Sequence, residues 1–572
     1  MATRPRMWVC TTISAGCSGS APDSNSDRAC APKTELTKKG ERGMHELIKT
    51  TAVAGLAAAL AATGAAVAQD YDVLIRGGRV LDGSGVPWRY ADVAISDDRI
   101  VAVGHVPEDA TAELVVDATG RYVTPGFIDP HSHAAPAIET AELAHATPVL
   151  LQGITTVLLN PDGGGPADLA PQAEAIETHT PGVNAALTIG HNAVRRFVMD
   201  DANRAPSEGE LEQMRELVRG GMEAGAFGLS SGPFYIPGKY SDTDEIASLA
   251  EVAAAYPGAF HISHIRDESS YDIGVQAAVE EVIEVSRQTG IPGIVTHFKM
   301  LGPFVWGESE TLVRVINEAR EEGLEIWSDQ YPYAASGSGL QPALVPGWAQ
   351  EGGSEAISRR LQDPEQRALI REEMELNLER RAGANAIQIR RYEPDPSLEG
   401  RRLDDIAREL GQDPLDTAID MLIEGGAAIV SFNMNEDDVE RIMRQPWNMT
   451  SSDGGLTEFG EGAVHPRNYG AFPRKIREYV MERGVITLEQ AVYSSSGLPA
   501  TVLGITDRGF IRPGAYADIL IFDPEEVRDT ATYDEPHSYS EGMHYVFVNG
   551  RPAVAEGEVT QDRHGRLLQP VR

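Results

Sequence analysis

Short apolar runs that end in polar residues recur along the middle of the chain, and helix-length amphipathic segments separate them. The runs are TPGFID, ITTVLLN, AALTIGH, AFGLSS, FHISH, GIVTH, LEIWSD and NMTSSD. The segments between them, such as 207–224, 242–256, 271–289 and 307–322, show the apolar spacing of surface helices. Eight strand-like runs alternating with helices predict an α/β fold, a (β/α)8 TIM-like barrel.

The spacing breaks once, between the seventh and the eighth run. Residues 354–446 carry helices and strand-like pieces of their own, which predicts a subdomain inserted before the eighth strand. We expect this lid-like unit at residues 345–446, over the barrel mouth, and the barrel itself at residues 125–344 and 447–497.

Both ends of the chain also carry short strands joined by turns. Hairpin turns are expected at Gly77 and at Asn549, which stand in glycine-containing turn sequences between apolar runs. Because chain ends often lie close together, the two segments can pair. We therefore predict a small β-sandwich domain formed by residues 69–124 and 498–572.

The first 68 residues differ from the rest of the chain. Residues 1–43 show no periodicity, and we expect a non-native or disordered extension there. Residues 44–68 begin with a short region containing Lys49 and continue as an Ala-rich stretch that ends in Ala-Val-Ala. This pattern favours a cleaved signal peptide over a membrane anchor, so we expect an exported protein, periplasmic or secreted.

Composition narrows the classes of function. The formal charge of -37 argues against nucleic acid as a partner and would repel anionic membrane surfaces, and we expect no stable membrane insertion. The cysteines, Cys10, Cys17 and Cys30, all precede the predicted cleavage site. The mature chain therefore has neither a disulfide nor a thiolate ligand.

Histidine and aspartate recur where the apolar runs end. Active-site residues of such barrels lie at the C-terminal ends of the strands, and these residue types bind zinc or similar divalent ions. The strand-end positions are Asp129, His131, His133, Asp162, His191, Ser230, His261, His264, His297, Asp329 and Asp453.

His131 and His133 form the sharpest feature among them. Side chains two residues apart on an extended segment point the same way, so both imidazoles can bind one ion. A pair of this kind also arises by chance, but here it ends the first barrel strand, and His264 and His297 end the fifth and sixth runs. Asp453 ends the last run, either as a turn residue before glycines or as a metal-facing general base.

Longer strings follow one another in a recognisable order over residues 71 to about 552. They include TPGFIDPHSH, FGLSSGPFYIPG, SHIRDE, THFK, SDQYPYAASGSGL, MTSSDGG and HPRNYGAFPR. In these strings the chain resembles the N-acyl-D-amino-acid deacylase (D-aminoacylase) family of the amidohydrolase superfamily. The resemblance implies an amidohydrolase-type barrel and a metal-dependent hydrolase that cleaves N-acyl-D-amino acids to a carboxylate and a free D-amino acid.

The resemblance also implies roles for particular residues. It implies one or two divalent ions, with Zn²⁺ expected, and a small-molecule N-acyl amino acid as the partner. Metal binding is carried onto His131, His133, His264, His297 and Asp453, and general acid/base catalysis onto Asp453. The positions implied to hold the substrate are Tyr235, Lys299, Tyr331, Ser338 and Arg467.

Asp162 is a departure from the family pattern. Family members commonly place a cysteine ligand shortly after the second strand, whereas this chain reads LLNPDGGG there. Asp162 either replaces the sulfur as an oxygen ligand, bridging two ions, or is a turn residue before three glycines. We predict that Asp162 is a ligand because it lies at a strand end.

Two alternatives remain open on the sequence alone. An exported hydrolase of dipeptides with a C-terminal D-residue, or of cyclic amides or imides, would use the same chemistry on another substrate. A non-catalytic binding barrel belongs to a different class, and the intact set of histidines and aspartates argues against it.

The signal-peptide interpretation predicts the mature N-terminus. Because the small-x-small pattern ends at Ala68, mass spectrometry of the exported protein is expected to find an N-terminus near Gln69. An exported protein that retains Met1 would contradict this interpretation.

Overall fold

The computed structural model of this protein describes residues 71–572, so the predicted extension and signal peptide lie outside the described residues. The strands, in chain order, are Tyr71–Val80 (β1), Arg89–Ser96 (β2), Arg99–Gly104 (β3), Ala112–Asp117 (β4), Tyr122–Pro125 (β5), Phe127–Asp129 (β6), Ile154–Leu159 (β7), Asn184–Leu187 (β8), Ile189–Gly190 (β9), Leu229–Ser231 (β10), His261–Ser263 (β11), Gly293–Val295 (β12), Ile326–Gln330 (β13), Ser336–Gly339 (β14), Ile387–Arg391 (β15), Ala428–Ser431 (β16), Asn448–Thr450 (β17), Ile519–Phe522 (β18), Met543–Val548 (β19), Arg551–Ala555 (β20) and Glu558–Val559 (β21).

Helices connect most of these strands, and the longer ones pack outside the central strands. The α-helices are Thr147–Leu150, Ala170–His179, His191–Met199, Glu208–Glu223, Thr243–Ala254, Val275–Thr289, Ser309–Glu321, Leu340–Leu344, Gly353–Gln362, Pro364–Arg380, Leu403–Leu410, Pro414–Ile423, Glu436–Met443, Arg467–Arg474, Leu488–Ser495 and Gly497–Val502, and a π-helix spans Lys475–Glu482. None of the helices within residues 71–572 is both long enough and apolar enough to cross a membrane.

The central strands form a parallel barrel in chain order. Strand β6 pairs with β7 and β7 with β8, while β9, β10, β11, β12, β13 and β17 pair successively. Strands β8 and β9 are two pieces of one barrel strand, separated by Thr188. The ring closes beyond β17, where His131 accepts a backbone hydrogen bond from Asp453 and His133 donates one to Gly454. The predicted (β/α)8 barrel is confirmed.

The helix at Glu208–Glu223 shows why the predicted amphipathic segments fold as they do. Ser207 and Glu210 form a reciprocal capping box, which satisfies backbone N–H groups at the first turn. Met214, Val218 and Met222 recur at a spacing of four residues and are fully buried against the barrel core. The helix thus begins at a polar cap and packs through one apolar face.

Strands from both ends of the chain share one sheet of nine strands, in the order β21-β20-β19-β18-β5-β1-β2-β3, with β4 also paired to β1. The join between the two chain ends is the antiparallel pair of β18 and β5. Residues from both segments, such as Val93, Ile95, Ile519 and Phe547, bury their side chains in one cluster. The two end segments therefore form one unit. All nine strands of this unit belong to a single hydrogen-bonded sheet.

The prediction of a hairpin turn at Gly77 is wrong. The hairpin turn predicted at Asn549 is confirmed, since it connects β19 and β20. Strand β1 runs without reversal through Gly77, which has a φ of 68°, and its register against β2 shifts there. The first half of β1 pairs with β4 and the second half with β5. Gly77 therefore forms a β-bulge that lets one strand contact two neighbours.

The segment between the seventh and eighth barrel strands carries its own three-stranded sheet, in the order β14-β16-β15, and its own apolar core. That core extends from Leu340 to Ile429. The following helix, Glu436–Met443, packs on the barrel helix Ser309–Glu321, and Ile442 joins the barrel core there. The insert thus begins and ends somewhat earlier than residues 345–446, because the last helix of that range covers the barrel.

Lys475 is buried between the barrel and its outer helices. Its ammonium donates hydrogen bonds to Thr450 Oγ1 at 2.5 Å and to Ser494 Oγ at 2.9 Å, and within residues 71–572 it has no ion pair. Burial lowers the pKa of Lys475 from 10.5 to about 7. The unfolded chain therefore binds this proton more tightly than the folded chain.

We expect Lys475→Met to stabilise the protein most at low pH. The free-energy penalty of the buried charge is fully present below pH 7 and disappears as the pH rises toward 10.5, so the gain should shrink over that window from at most about 5 kcal/mol. Urea unfolding at pH 6, 7.5 and 9 measures the gain, with the exposed Arg314→Met as control. A gain that does not depend on pH would contradict the lowered pKa.

Candidate active site

Asp129 joins the first and last barrel strands beneath the site. Its Oδ1 accepts backbone hydrogen bonds from His131 at 3.2 Å and from Ser452 at 2.9 Å, and its Oδ2 accepts from the Ser452 hydroxyl. The carboxylate is completely buried, so these donors offset its lost hydration. Asp129 thereby holds the segment that carries His131 and His133 against the segment that carries Asp453.

Side chains from five strand ends converge at the C-terminal mouth of the barrel. They are His131, His133, Asp162, His264, His297 and Asp453. Asp162 Oδ1 lies 3.5 Å from Nε2 of both His131 and His297. It lies 3.6 Å from His264 Nδ1. Asp162 thus stands between the histidines of the first strand and those of the fifth and sixth strands.

Asp453 approaches the same histidines from the eighth strand. Its Oδ1 lies 3.2 Å from His133 Nε2 and 3.6 Å from His131 Nε2. Its Oδ2 lies 2.8 Å from Arg467 Nη1. Among residues 71–572, the buried Nη1 and Nε of Arg467 have no hydrogen-bond partner, so this contact is an ion pair only. Arg467 therefore retains donors for a further acceptor.

The donor set fits divalent metal ions. Three groups of three ligand atoms lie within 4.8 Å of one another, and together they include all six residues. Asp162 Oδ1 and both ring nitrogens of His264 are buried without a hydrogen-bond partner in the described part of the chain, which is costly unless another group satisfies them. Imidazole and carboxylate ligands in such a cluster suit zinc. Asp162, His131 and His297 each belong to two of these three groups, so the cluster can hold two ions.

Three of the six residues depart from ordinary strand geometry. Asp162, His297 and Asp453 have φ values of 57°, 34° and 48°, in the left-handed region that non-glycine residues avoid. Gly232 is needed beside them, because a Cβ there would lie 2.1 Å from the carbonyl oxygen of Asp162. The strands thus turn sharply at their ends and direct these side chains inward, and such strain is typical of functional sites.

Further polar groups orient the rings. His131 Nδ1 lies 2.5 Å from Thr296 Oγ1, which in turn donates to Asp329 Oδ2 at 2.6 Å. Asp329 Oδ1 accepts the backbone N–H of His297 at 2.9 Å. Because the Thr296 hydroxyl donates its proton to Asp329, Thr296 can only accept a hydrogen bond from His131. His131 Nδ1 therefore carries the proton, and the Nε2 lone pair of His131 faces the cluster. Supporting contacts of this kind set the tautomer of a metal-binding histidine.

Glu268 and Lys299 together face the His297 ring on the opposite side, with Lys299 Nζ 2.5 Å from His297 Nδ1. Glu268 Oε1 lies 3.0 Å from His297 Nδ1 and 2.6 Å from Lys299 Nζ. All three side chains are almost completely buried. Lys299, implied by the resemblance to hold substrate, therefore lines the site as part of an ion pair.

Electrostatics keep the two aspartates ionised. Burial alone would raise the pKa of Asp162 and of Asp453, but the histidines and, for Asp453, the Arg467 guanidinium hold both pKa values well below the usual range. Burial lowers the pKa of His131 well below its usual range. For His133, the two carboxylates overcome burial and raise the pKa to about 9. Metal binding to His133 must therefore release a proton.

A cavity of about 420 Å³ opens above the cluster. Tyr235, Lys299, Ser338 and Arg467 line it, as expected for positions that hold substrate. Tyr331 does not line this cavity. Its hydroxyl donates to Met434 at 3.4 Å, and its ring lies 4.7 Å beneath the Arg467 guanidinium, so it supports that side chain from below.

Other strand-end residues do not reach the cluster. His191 lies 2.9 Å from Glu245 and His261 lies 2.8 Å from Ser231, both in the interior. The Ser230 hydroxyl donates to the backbone of Asn160. These three residues satisfy buried polar groups of the barrel.

The sequence analysis missed Glu268, Thr296 and Arg390. Glu268 stands four residues after His264 in SHIRDE, and Thr296 immediately precedes His297, so proximity to a strand end was the available signal. Arg390 belongs to β15 of the insert and reaches the cavity only through the packing of that unit on the barrel. A local pattern could not have indicated it.

A parallel eight-stranded barrel with a histidine–aspartate cluster at its C-terminal mouth defines a hydrolase of the amidohydrolase type. The Amidohydrolase family model matches residues 114–554. The chain belongs to this family, in its N-acyl-D-amino-acid deacylase branch.

Three similar proteins illustrate this relationship. N-acyl-D-glutamate deacylase of Alcaligenes xylosoxydans xylosoxydans is 36% identical, over 87% of this chain and 96% of that protein. N-acyl-D-glutamate deacylase from Bordetella bronchiseptica, solved with zinc and a phosphonate inhibitor, is 34% identical with a TM-score of 0.75, over 88% and 100% of the two chains. A D-aminoacylase structure described by its binuclear metal centre is 30% identical with the same TM-score, over 87% and 100%.

The position of Asp162 predicts that its removal lowers the metal content. Asp162→Ala should lose at least one ion per chain and most of the activity, because this carboxylate belongs to two of the three ligand groups. Elemental analysis of the purified protein measures the metal, and Asp162→Cys tests whether a thiolate can substitute.

Asp168→Ala is the matched control, since Asp168 is an exposed aspartate of the same loop. Unchanged metal content and activity in Asp162→Ala would show that Asp162 is only a turn residue.

Proposed function

We propose that this protein is a metal-dependent deacylase that hydrolyses the amide bond of N-acyl-D-amino acids to a carboxylate and a free D-amino acid. The observation that carries the proposal is the position of Asp453, which touches both the histidine cluster and Arg467 at the floor of one cavity. A proton acceptor, metal ligands and a cationic group for the substrate carboxylate therefore face the same space. The membership in the deacylase branch supports this substrate class.

Six residues would hold the metal: His131, His133, Asp162, His264, His297 and Asp453. One or two divalent ions fit this set, and zinc is the metal named for the Bordetella bronchiseptica deacylase. A divalent ion here supplies Lewis acidity toward the amide carbonyl and the attacking water.

Asp453 acts as general base and then as general acid. Its low pKa keeps it ionised, so it can accept a proton from the attacking water. Protonated Asp453 then delivers that proton to the leaving nitrogen as the C–N bond breaks, and the carboxylate is regenerated. Arg467, 2.8 Å from Oδ2, keeps the carboxylate in place through both steps.

Arg467 also binds the α-carboxylate of the substrate. Its Nε and Nη1 are buried and have no hydrogen-bond partner within residues 71–572, and the ring of Tyr331 packs against the guanidinium at 4.7 Å. A carboxylate in this place would satisfy those donors through paired, charge-assisted hydrogen bonds. Tyr235 and Ser338 complete the wall of the cavity around the amino-acid portion.

We also propose that the insert acts as a lid and that the protein is exported. The lid role is supported by insert residues such as Ser338 and Arg381, which line the cavity that the barrel strands floor. Mobile units over barrel mouths commonly exclude water from the reaction. Export is supported by the Ala-rich segment at residues 44–68.

Amine release from N-acetyl-D-amino acids and their L-enantiomers tests the proposed reaction on zinc-loaded protein. We expect hydrolysis of the D-series in preference to the L-series. Hydrolysis of cyclic amides without any hydrolysis of N-acyl-D-amino acids would reject the proposal.

Asp453→Asn tests the proposed base. The substitution keeps the shape of the side chain but removes its basicity, so kcat should fall by about 100-fold or more while the protein stays folded. Circular dichroism and elemental analysis are the controls, because Asp453 is also a ligand. Near-normal turnover with unchanged metal content would contradict the assignment.

A further inference from the structure

Arg390 is an unpaired cation in the wall of the cavity. It lies in β15 of the insert and faces the space above the cluster. Its guanidinium forms neither a hydrogen bond nor an ion pair with any residue of the described range 71–572. Burial and the neighbouring Arg467 lower its pKa to about 10, and the Asp453 carboxylate offsets this only in part.

The other cations of the cavity all have partners. Arg391 lies 3.1 Å from Glu461. Arg381 donates to the Tyr271 hydroxyl at 2.7 Å, Lys299 pairs with Glu268, and Arg467 pairs with Asp453. The chain has 86 acidic residues against 49 Lys and Arg, so acidic partners are abundant. The isolation of Arg390 is thus a local feature of the cavity.

Arg390 and Arg467 both approach Gly337. A Cβ on Gly337 would be 3.1 Å from Arg467 Nη2 and 3.6 Å from Arg390 Nη1. The two guanidinium groups are therefore close enough for one small molecule to contact both. The missing side chain at Gly337 keeps the space between them open.

We infer that Arg390 binds a second carboxylate of the substrate, so that the enzyme prefers N-acyl-D-amino acids that carry two carboxylates. This inference rests on the proposed function, in which Arg467 binds the α-carboxylate. The second carboxylate belongs either to the amino-acid side chain or to the acyl chain, since both kinds of dianion present the same chemistry. Arginine suits this role because its planar fork matches a carboxylate in a bidentate manner.

The test compares matched substrates on zinc-loaded wild type and Arg390→Met. N-acetyl-D-glutamate and N-acetyl-D-glutamine differ only in the charge of the side chain, whereas N-succinyl-D-leucine places the second carboxylate on the acyl group. Wild type should favour at least one dianion over N-acetyl-D-glutamine, which is a monoanion, in kcat/KM. Arg390→Met should lower that preference by about 10- to 100-fold, the range expected for one lost charged hydrogen-bonding group.

Two further variants make the test specific. Arg390→Lys should restore part of the preference, because it keeps the charge and loses the fork. Arg408→Met is the matched control, since Arg408 is an exposed arginine of the same insert that pairs with Asp404 and is not among the cavity-lining residues, and the substrate preference of this variant should stay within about twofold of wild type. Thermal unfolding checks that all variants are folded.

The outcomes separate this inference from the proposed function. If wild type hydrolyses no N-acyl-D-amino acid, the proposed function fails. If wild type is active but Arg390→Met lowers kcat/KM equally for dianionic and monoanionic substrates, Arg390 binds the α-carboxylate and the inference is wrong. A wild type that shows no preference for either dianion also overturns it.

Discussion

Two carboxylates, Asp162 and Asp453, are buried together at the mouth of the barrel, and much of the surrounding structure serves to accommodate them. Buried charges are costly unless opposite charges and donors surround them. Four histidines from three strand ends, and Arg467 from the helix Arg467–Arg474, supply that environment here. The barrel closure through Asp129, the left-handed backbone at both aspartates and the close approach of Gly232 all follow from bringing these groups together.

The same constraint explains the layers of polar residues behind the cluster. Histidines that face two carboxylates must present a lone pair toward them if they are to bind a metal, and the opposite ring nitrogen then needs a partner. Thr296 with Asp329 serves His131, and Glu268 serves His297. The mouth of the barrel is thus a connected network, in which a change at a supporting residue would alter the ligands.

The insert gives the cavity its other wall and a different electrostatic character. The floor carries the acidic and imidazole groups, whereas the insert contributes Arg381, Arg390 and Arg391. In a chain whose net charge is -37, three arginines on one side of a small cavity favour anionic ligands there. In the proposed function, the barrel therefore supplies the metal ligands and the base, and the insert contributes to substrate selection.

The sequence by itself determined the barrel, because strand and helix periodicity are local properties that the eight apolar runs and the helix at Glu208–Glu223 display directly. It also indicated the six cluster residues, since each follows an apolar run whose end must lie at the barrel mouth. Only the tertiary structure decided which strand-end groups meet: His191 and His261 follow the same pattern but point into the interior. It alone placed Tyr331 under Arg467, Glu268 behind His297 and Arg390 in the cavity wall. The physical reason is that these contacts join residues far apart in the chain, and long-range packing leaves no periodic signal in the sequence.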